Sequence, residues 1–390
     1  MTDRRAFDTS KRDVQASPVE PVDPGCFDYE AFLAREERQL DCCRAFRDAG
    51  EGILVHRRMR VAEVFSDLCG DMPLSLRLQL GGLQAGLAYL NDCPNFLEPW
   101  YGIGTVAAAW GAEYAWEEGQ APVVRPLFSC AREALDAPTR PVRDTPIGRR
   151  TLEMADYFLE STGGRLPVSL TDTQSPFNTA CQVVDTSRLL LDMMDDPATV
   201  SELLLRVADH LIEFTRDQLE LLGPAAVFPG HGFASSRVFG GVGFSDDNIL
   251  MVSEGLYREV VLPSVSRLAA AFGEVAFHSC GNWSRKVPLV MSVPGIGTVD
   301  GAFTARTDPF PNPPEPFAGA LPGTSIVLNA RMVGDADTVA ETVSALWRPG
   351  AKLIAVTYCA TPEEQRTACE RLRGLALAGD PPDDGRTAGR

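Results

Sequence analysis

Residues 274–282 read EVAFHSCGN. An apolar run closes on an imidazole, and a thiol follows two positions later before Gly281 breaks the pattern, which is how a buried strand opens into a loop. Similar short apolar runs recur at 166–171, 225–229, 296–300, 325–329 and 353–358. Helical stretches lie between them at 200–222, after the Asp-Asp-Pro start of 195–197, and at 253–272, 335–347 and 362–376. This alternation is the mark of βα units around a parallel sheet. In a chain of 390 residues it predicts the α/β class, specifically a (β/α)8 TIM barrel with an N-terminal helical extension. Residues 74–80 and 123–127 are the strand candidates in the less regular first half.

The expected organisation is a polar start over 1–25 that is disordered or loosely attached, a helical extension over 26–70 with helices at 28–50 and 58–68, the barrel over 71–377, and a disordered tail over 378–390. The first residues lack the apolar stretch of a signal peptide, and no apolar run approaches the roughly 20 residues of a membrane span, so a cytoplasmic protein is expected. A net charge of −17 argues against nucleic acid and against an anionic membrane surface as partners. The ten cysteines are scattered, without export signal, so most are expected to be buried apolar residues rather than a disulfide framework.

Asp172, His231, His278 with Cys280, Asp300 and Cys359 each fall at or just beyond the end of an expected strand. That is the rim where barrel enzymes place their chemistry. His278 and Cys280, two apart, project to the same side and can share one ion, and Cys359 ends another run 79 residues later. Together they supply three ligands of a tetrahedral zinc with one open position. With four histidines and ten cysteines, a His-x-Cys triplet arises about 0.1 times by chance. Spacing alone therefore leaves both zinc binding and simple strand packing open.

The stretch 243–282, GFSDDNILMVSEGLYREVVLPSVSRLAAAFGEVAFHSCGN, resembles the methylcobamide:coenzyme M methyltransferases and related corrinoid-dependent enzymes of the uroporphyrinogen decarboxylase superfamily. Weaker likeness runs from about Val61 to Arg373 and includes Glu98-Pro99-Trp100-Tyr101-Gly102 and Asp172-Thr173-Gln174-Ser175-Pro176-Phe177. The resemblance implies that His278, Cys280 and Cys359 bind zinc, as the family's His-x-Cys and distant Cys do. It implies a zinc-activated thiolate taking a methyl group from methyl-cobalt. The corrinoid, a methylcobamide, would then be a co-substrate carried by a separate corrinoid-binding protein, with a small thiol or other methyl acceptor as partner. A homodimer stays open.

Asp300 is read either as the fourth zinc ligand or as the hydrogen-bond partner of His278. His231, between glycines, is read as catalytic and as a corrinoid contact, against a turn histidine; Asp172 as catalytic; Gln174 and Asn282 as cofactor-binding. Asp246 and Asp247 read as helix caps, and Arg57, Arg58 and Arg60 as the solvated face of the 58–68 helix. The remaining cysteines, including the vicinal Cys42 and Cys43, have no ligand partner at metal spacing. Phe65-Ser66-Asp67-Leu68 is similar to the segment holding the catalytic aspartate of true porphyrin decarboxylases, but falls in a helix before the first expected strand. No Arg-Gln-Ala-Gly-Arg occurs to grip an octa-acid. The leading expectation is thus a zinc-dependent, corrinoid-dependent methyltransferase. The alternatives are a metal-free decarboxylase of a tetrapyrrole or smaller acid, and a barrel that binds a corrinoid or tetrapyrrole without turnover.

Overall fold

A computed structural model of the chain describes residues 14–378. The wall of the molecule is built from β1 Gly52–Arg57, β2 Val168–Ser169, β3 Ala226–Val227, β4 Val242–Ser245, β5 Val275–His278, β6 Ile296–Ala302, β7 Val327–Met332 and β8 Lys352–Thr357. Six of them form one parallel sheet in the order β1-β8-β7-β6-β5-β4, and β2 pairs parallel with β3. Single backbone hydrogen bonds extend the wall from both sheet edges. Gly243 N–H donates to Pro229 O and Ser245 N–H to Thr173 O, each at 2.9 Å, tying β4 to the chain beyond β3 and β2. At the other edge Asp92 N–H donates to Val55 O, and Leu97 N–H to Pro167 O, also at 2.9 Å. The result is a TIM-barrel-type α/β fold, with a regular ladder over six strands and individual bonds around the remainder.

Helices cover the outside: α1 Tyr29–Asp48, α2 Met72–Gly86, α3 Pro197–Leu222, α4 Leu262–Phe272, α5 Ala336–Leu346 and α6 Pro362–Ala378. α3 shows why they form. Asp196 caps it through its side chain on Thr199 N–H, Pro197 occupies the first turn, and Val200, Leu203, Leu204, Val207 and Leu211 bury one face. Along the strands, side chains alternate between this helix layer and the interior. In β8, Leu353 and Ala355 face the helices, while Ile354 and Val356 pack inside with Leu54 and Val333.

Five expectations are corrected. The first strand, β1, lies inside the stretch read as a helical extension, and 58–68 is not a helix but short 3-10 turns at Ala62–Phe65 and Asp67–Gly70. Residues 74–80 belong to α2: the alternating LSLRLQL imitates a strand, but the Asp71 cap on Leu74 N–H and a proline in the first turn start a helix. The 123–127 candidate contributes only Val123–Val124, paired antiparallel with Tyr114–Ala115 away from the wall. Residues 14–25 are docked, with Ser17 N–H donating to Arg60 O at 2.8 Å and Val22 N–H to Arg77 O at 2.9 Å. Residues 1–13 and 379–390 lie outside the described residues.

The N-terminal strap sits so close to α2 that a Cβ on Gly81 would lie 2.0 Å from the Glu20 carbonyl oxygen. A backbone oxygen cannot swing aside as a side chain can. Gly81→Ala should therefore lift the strap and cost about 1–3 kcal/mol, read as a lower urea midpoint. A midpoint equal to that of the unmodified protein would show that strap and helix do not meet this way.

Candidate functional site

Parallel register sets His278, Asp300 and Asn329 side by side on three adjacent strands. His278 Nδ1 donates to Asp300 Oδ1 at 2.5 Å. Arg331 Nε donates to the same oxygen at 2.9 Å and to Oδ2 at 3.2 Å, and Asn329 Nδ2 also donates to Oδ2. Asp300 is fully buried, and these four bonds match the roughly four acceptor positions of a carboxylate. The structure therefore places Asp300 behind the imidazole as its hydrogen-bond partner, with no lone pair left to offer an ion. Burial alone would raise its pKa, but Arg331 and then His278 outweigh burial and hold it below the usual carboxylate range. For His278 burial opposes the charge and Asp300 outweighs it, raising the imidazole well above its ordinary value.

With Nδ1 committed to Asp300, His278 Nε2 faces Cys280 Sγ at 3.5 Å. Asp247 Oδ1 stands 4.0 Å from the same nitrogen and accepts the Cys280 backbone N–H at 2.6 Å. Asp247, His278 and Cys280 all offer ligand atoms within 4.8 Å of one another, and they are the one such group of three among the described residues. Cys359 is not in it. It is fully buried with Ala368, Cys369 and Leu372 in the layer between sheet and helices. Burial, then Glu364, pushes its thiol up to about 11.

A second assembly faces the same rim. His231 Nδ1 lies 3.0 Å from Glu98 Oε1, and Nε2 lies 3.3 Å from Asp172 Oδ2. The first contact is ionic, since Nδ1 is not aligned for a hydrogen bond. Gly230 at φ 115° and Gly232 at φ 85° make the turn that presents the ring, a conformation other residues seldom adopt. Arg58 Nη2 grips both Glu98 oxygens at 2.9 and 3.3 Å, and Trp100 Nε1 donates to Asp172 Oδ2 at 3.2 Å. Gln174 Nε2 donates to Asp172 Oδ1, and Asn178 then links Gln174 to the Asn248 N–H. Burial opposes the charge on His231, but Asp172 and then Glu98 raise its pKa overall. The charge of His278 also lowers the pKa of Asp172, so the two histidine assemblies share one electrostatic environment.

The family model for uroporphyrinogen decarboxylase (URO-D) matches residues 30–300. The chain belongs to the URO-D family. Among solved structures it is similar to a methyltransferase from Methanosarcina mazei, with a TM-score of 0.54 and 14% identity over 87% of this chain and 98% of that one, a likeness of fold. A B12-independent methionine synthase from Shewanella sp. W3-18-1 gives a TM-score of 0.39 at 15% identity, over 68% of this chain and 76% of that one. No curated protein matches the chain in sequence.

Other expected site residues of this URO-D-family chain fall differently. Asn282 is exposed, and its Oδ1 accepts from Ser284 N–H at 3.2 Å and Ser284 Oγ at 2.7 Å, so it closes a loop turn. Asp246 and Asp247 cap no helix. Asp246 is buried, accepts the Tyr257 hydroxyl at 2.7 Å, and is pushed up to about 7 by burial. Arg57 and Arg58 are not a solvated helix face: both are buried at the end of β1, where Arg58 neutralises Glu98. Glu98, unassigned from sequence, sits beside the Trp100 that contacts Asp172. Its only signal there is membership of the family-like stretch 98–102.

The raised pKa of His231 has a stability consequence. Its extra proton is bound in folded and unfolded chains alike below about pH 6.5, the unfolded value. Above that, only the folded chain keeps it, so this contribution fades as pH climbs through the raised folded value, and His278 acts with the same sign. The thermal midpoint should fall from pH 6.5 to 8.5, and His231→Gln should flatten the decline. An equally steep decline in that variant would remove His231 as a source.

Proposed function

We propose that this URO-D-family chain is a zinc-dependent methyltransferase that moves a methyl group between a corrinoid and a thiol or other methyl carrier. The observation that carries the reading is the pairing of His278 Nε2 with Cys280 Sγ at 3.5 Å on the rim, the opposite ring nitrogen being locked by Asp300. Ligands about 2.0 and 2.3 Å from a tetrahedral ion stand roughly 3.5 Å apart. The pair thus fits zinc without rearrangement. Bound there, zinc would lower the pKa of a ligating thiol so that its thiolate forms near neutral pH.

The chain's own residues supply the remainder. His278 and Cys280 hold the ion, and Asp300 fixes the tautomer that turns Nε2 outward. Arg331 holds Asp300 in that position through its Nε. His231, whose charged form Asp172 and Glu98 favour, would place positive charge on the rim where an anionic acceptor would approach. In the transfer the acceptor thiol releases its proton and its sulfur pair bonds the methyl carbon. The carbon–cobalt bond of the methylcobamide co-substrate breaks with its pair left on cobalt.

Exposed Leu250, Met251 and Phe310 near the same loop suit docking of a separate corrinoid-carrying protein. Leu250 would contact a Cβ on Gly281, and Asp308, which accepts Gly281 N–H at 2.8 Å, also accepts from Phe310 N–H. The Methanosarcina mazei protein of like fold is a methyltransferase, which agrees with the reading. No helix among the described residues is long and apolar enough to cross a membrane.

Metal-free decarboxylation is a second reading, favoured by one observation. Phe65-Ser66-Asp67-Leu68 follows β1 instead of preceding the first strand, and the Phe65 ring lies 5.5 Å from both the His231 and the Trp100 rings. Metal analysis separates the two readings. We expect about one zinc per chain, lost in Cys280→Ser and bound roughly 10- to 100-fold more weakly in Asp300→Asn. Metal-free protein that still acts at full rate on a carboxylic acid would decide for decarboxylation.

A further inference from the structure

We infer that the third protein ligand of the metal is Asp247 and that Cys359 is excluded from the centre; this rests on the metal-dependent reading above. Parallel register makes Asp247 a neighbour of the pair. β4 and β5 run side by side with Ser245 opposite His278, so two residues further on Asp247 stands opposite Cys280. Two bonds hold the segments in step past the strand ends: Asp246 N–H donates to His278 O at 2.8 Å, and Cys280 N–H to Asp247 Oδ1 at 2.6 Å. The Asn178 side chain fixes the next residue by accepting Asn248 N–H at 3.0 Å.

A tetrahedral ion with nitrogen and oxygen ligands at about 2.0–2.1 Å sets them roughly 3.4 Å apart. Asp247 Oδ1 lies 4.0 Å from His278 Nε2, so a shift of a few tenths of an ångström on a 44% exposed side chain closes the set. One thiolate, one carboxylate and a neutral imidazole balance a divalent ion. A fourth position stays open toward the rim.

Cys359 fails the same geometric test by its side of the wall. Inward positions in β8 are Ile354 and Val356, followed by Tyr358, whereas Leu353 and Ala355 face the helices. Thr357 continues that outward series by donating to Gln365 on α6 at 2.8 Å, and Cys359 comes next, packed with Ala368 and Cys369. Its carbonyl is further anchored by Arg57 Nε at 2.8 Å. Bringing the sulfur to His278 would require turning this residue through the wall. A centre with one thiolate is harder than one with two, and so tolerates oxygen-ligating metals better.

X-ray absorption on the zinc-loaded full chain counts sulfur neighbours directly and needs no variant. One sulfur per zinc is expected, with full zinc stoichiometry in Cys359→Ser. Asp247→Asn, which keeps the acceptor for the Cys280 N–H, should weaken zinc by at least about tenfold, the low end of what outer partners alone contribute. Two sulfurs per zinc together with metal loss in Cys359→Ser would overturn the inference and leave the methyltransferase reading standing. A chain that takes up no zinc would overturn both.

Discussion

One buried carboxylate organises the site. Asp300 receives hydrogen bonds from His278 on β5 and from Asn329 and Arg331 on β7, while itself sitting on β6. Three strands are thus clamped at one level by an anion that would be costly to bury alone. The clamp also settles a chemical question before any ligand arrives: with Nδ1 occupied, only Nε2 is free to coordinate. The orientation of the imidazole is thereby a property of the wall and not of the loop that follows it.

The two histidine assemblies differ in what they leave exposed. His231 has a carboxylate against each ring nitrogen, and the two together favour its charged form. His278 is hydrogen-bonded to a carboxylate on one side only; its other nitrogen faces the Cys280 sulfur at 3.5 Å, with Asp247 at 4.0 Å. The first is suited to electrostatics and the second to coordination, although both are imidazoles on the same rim. Burial and partner count, not residue type, separate their roles.

The strands most legible in the sequence are β5 to β8 and the short β2 and β3, where apolar runs stand between helical stretches. β1 was hidden because its run GILV passes directly into His56, Arg57 and Arg58, polar residues that are buried here. Those arginines are buried on polar partners, Arg57 on the Cys359 carbonyl and Arg58 on Glu98, so the hydrophobic code is broken by internal hydrogen bonds and an ion pair. β4, four residues with a glycine, carries too little pattern to be seen, and with it went the register that brings Asp247 to Cys280. The His-x-Cys pair is legible because both members lie on one strand end. The third ligand we propose is not, since strand parity at Cys359 depends on a register that spacing does not encode.

The N-terminal strap reaches the opposite end of the chain through a single guanidinium. Ser17 Oγ accepts Arg57 Nη2 at 3.0 Å, and Arg57 Nε holds the Cys359 carbonyl at 2.8 Å. Trimming the first twenty or so residues, or appending a rigid fusion there, would free one arm of Arg57 and loosen the backbone of a residue over three hundred positions away. The reactivity of that thiol toward alkylating reagents thus doubles as a gauge of whether the amino terminus is seated.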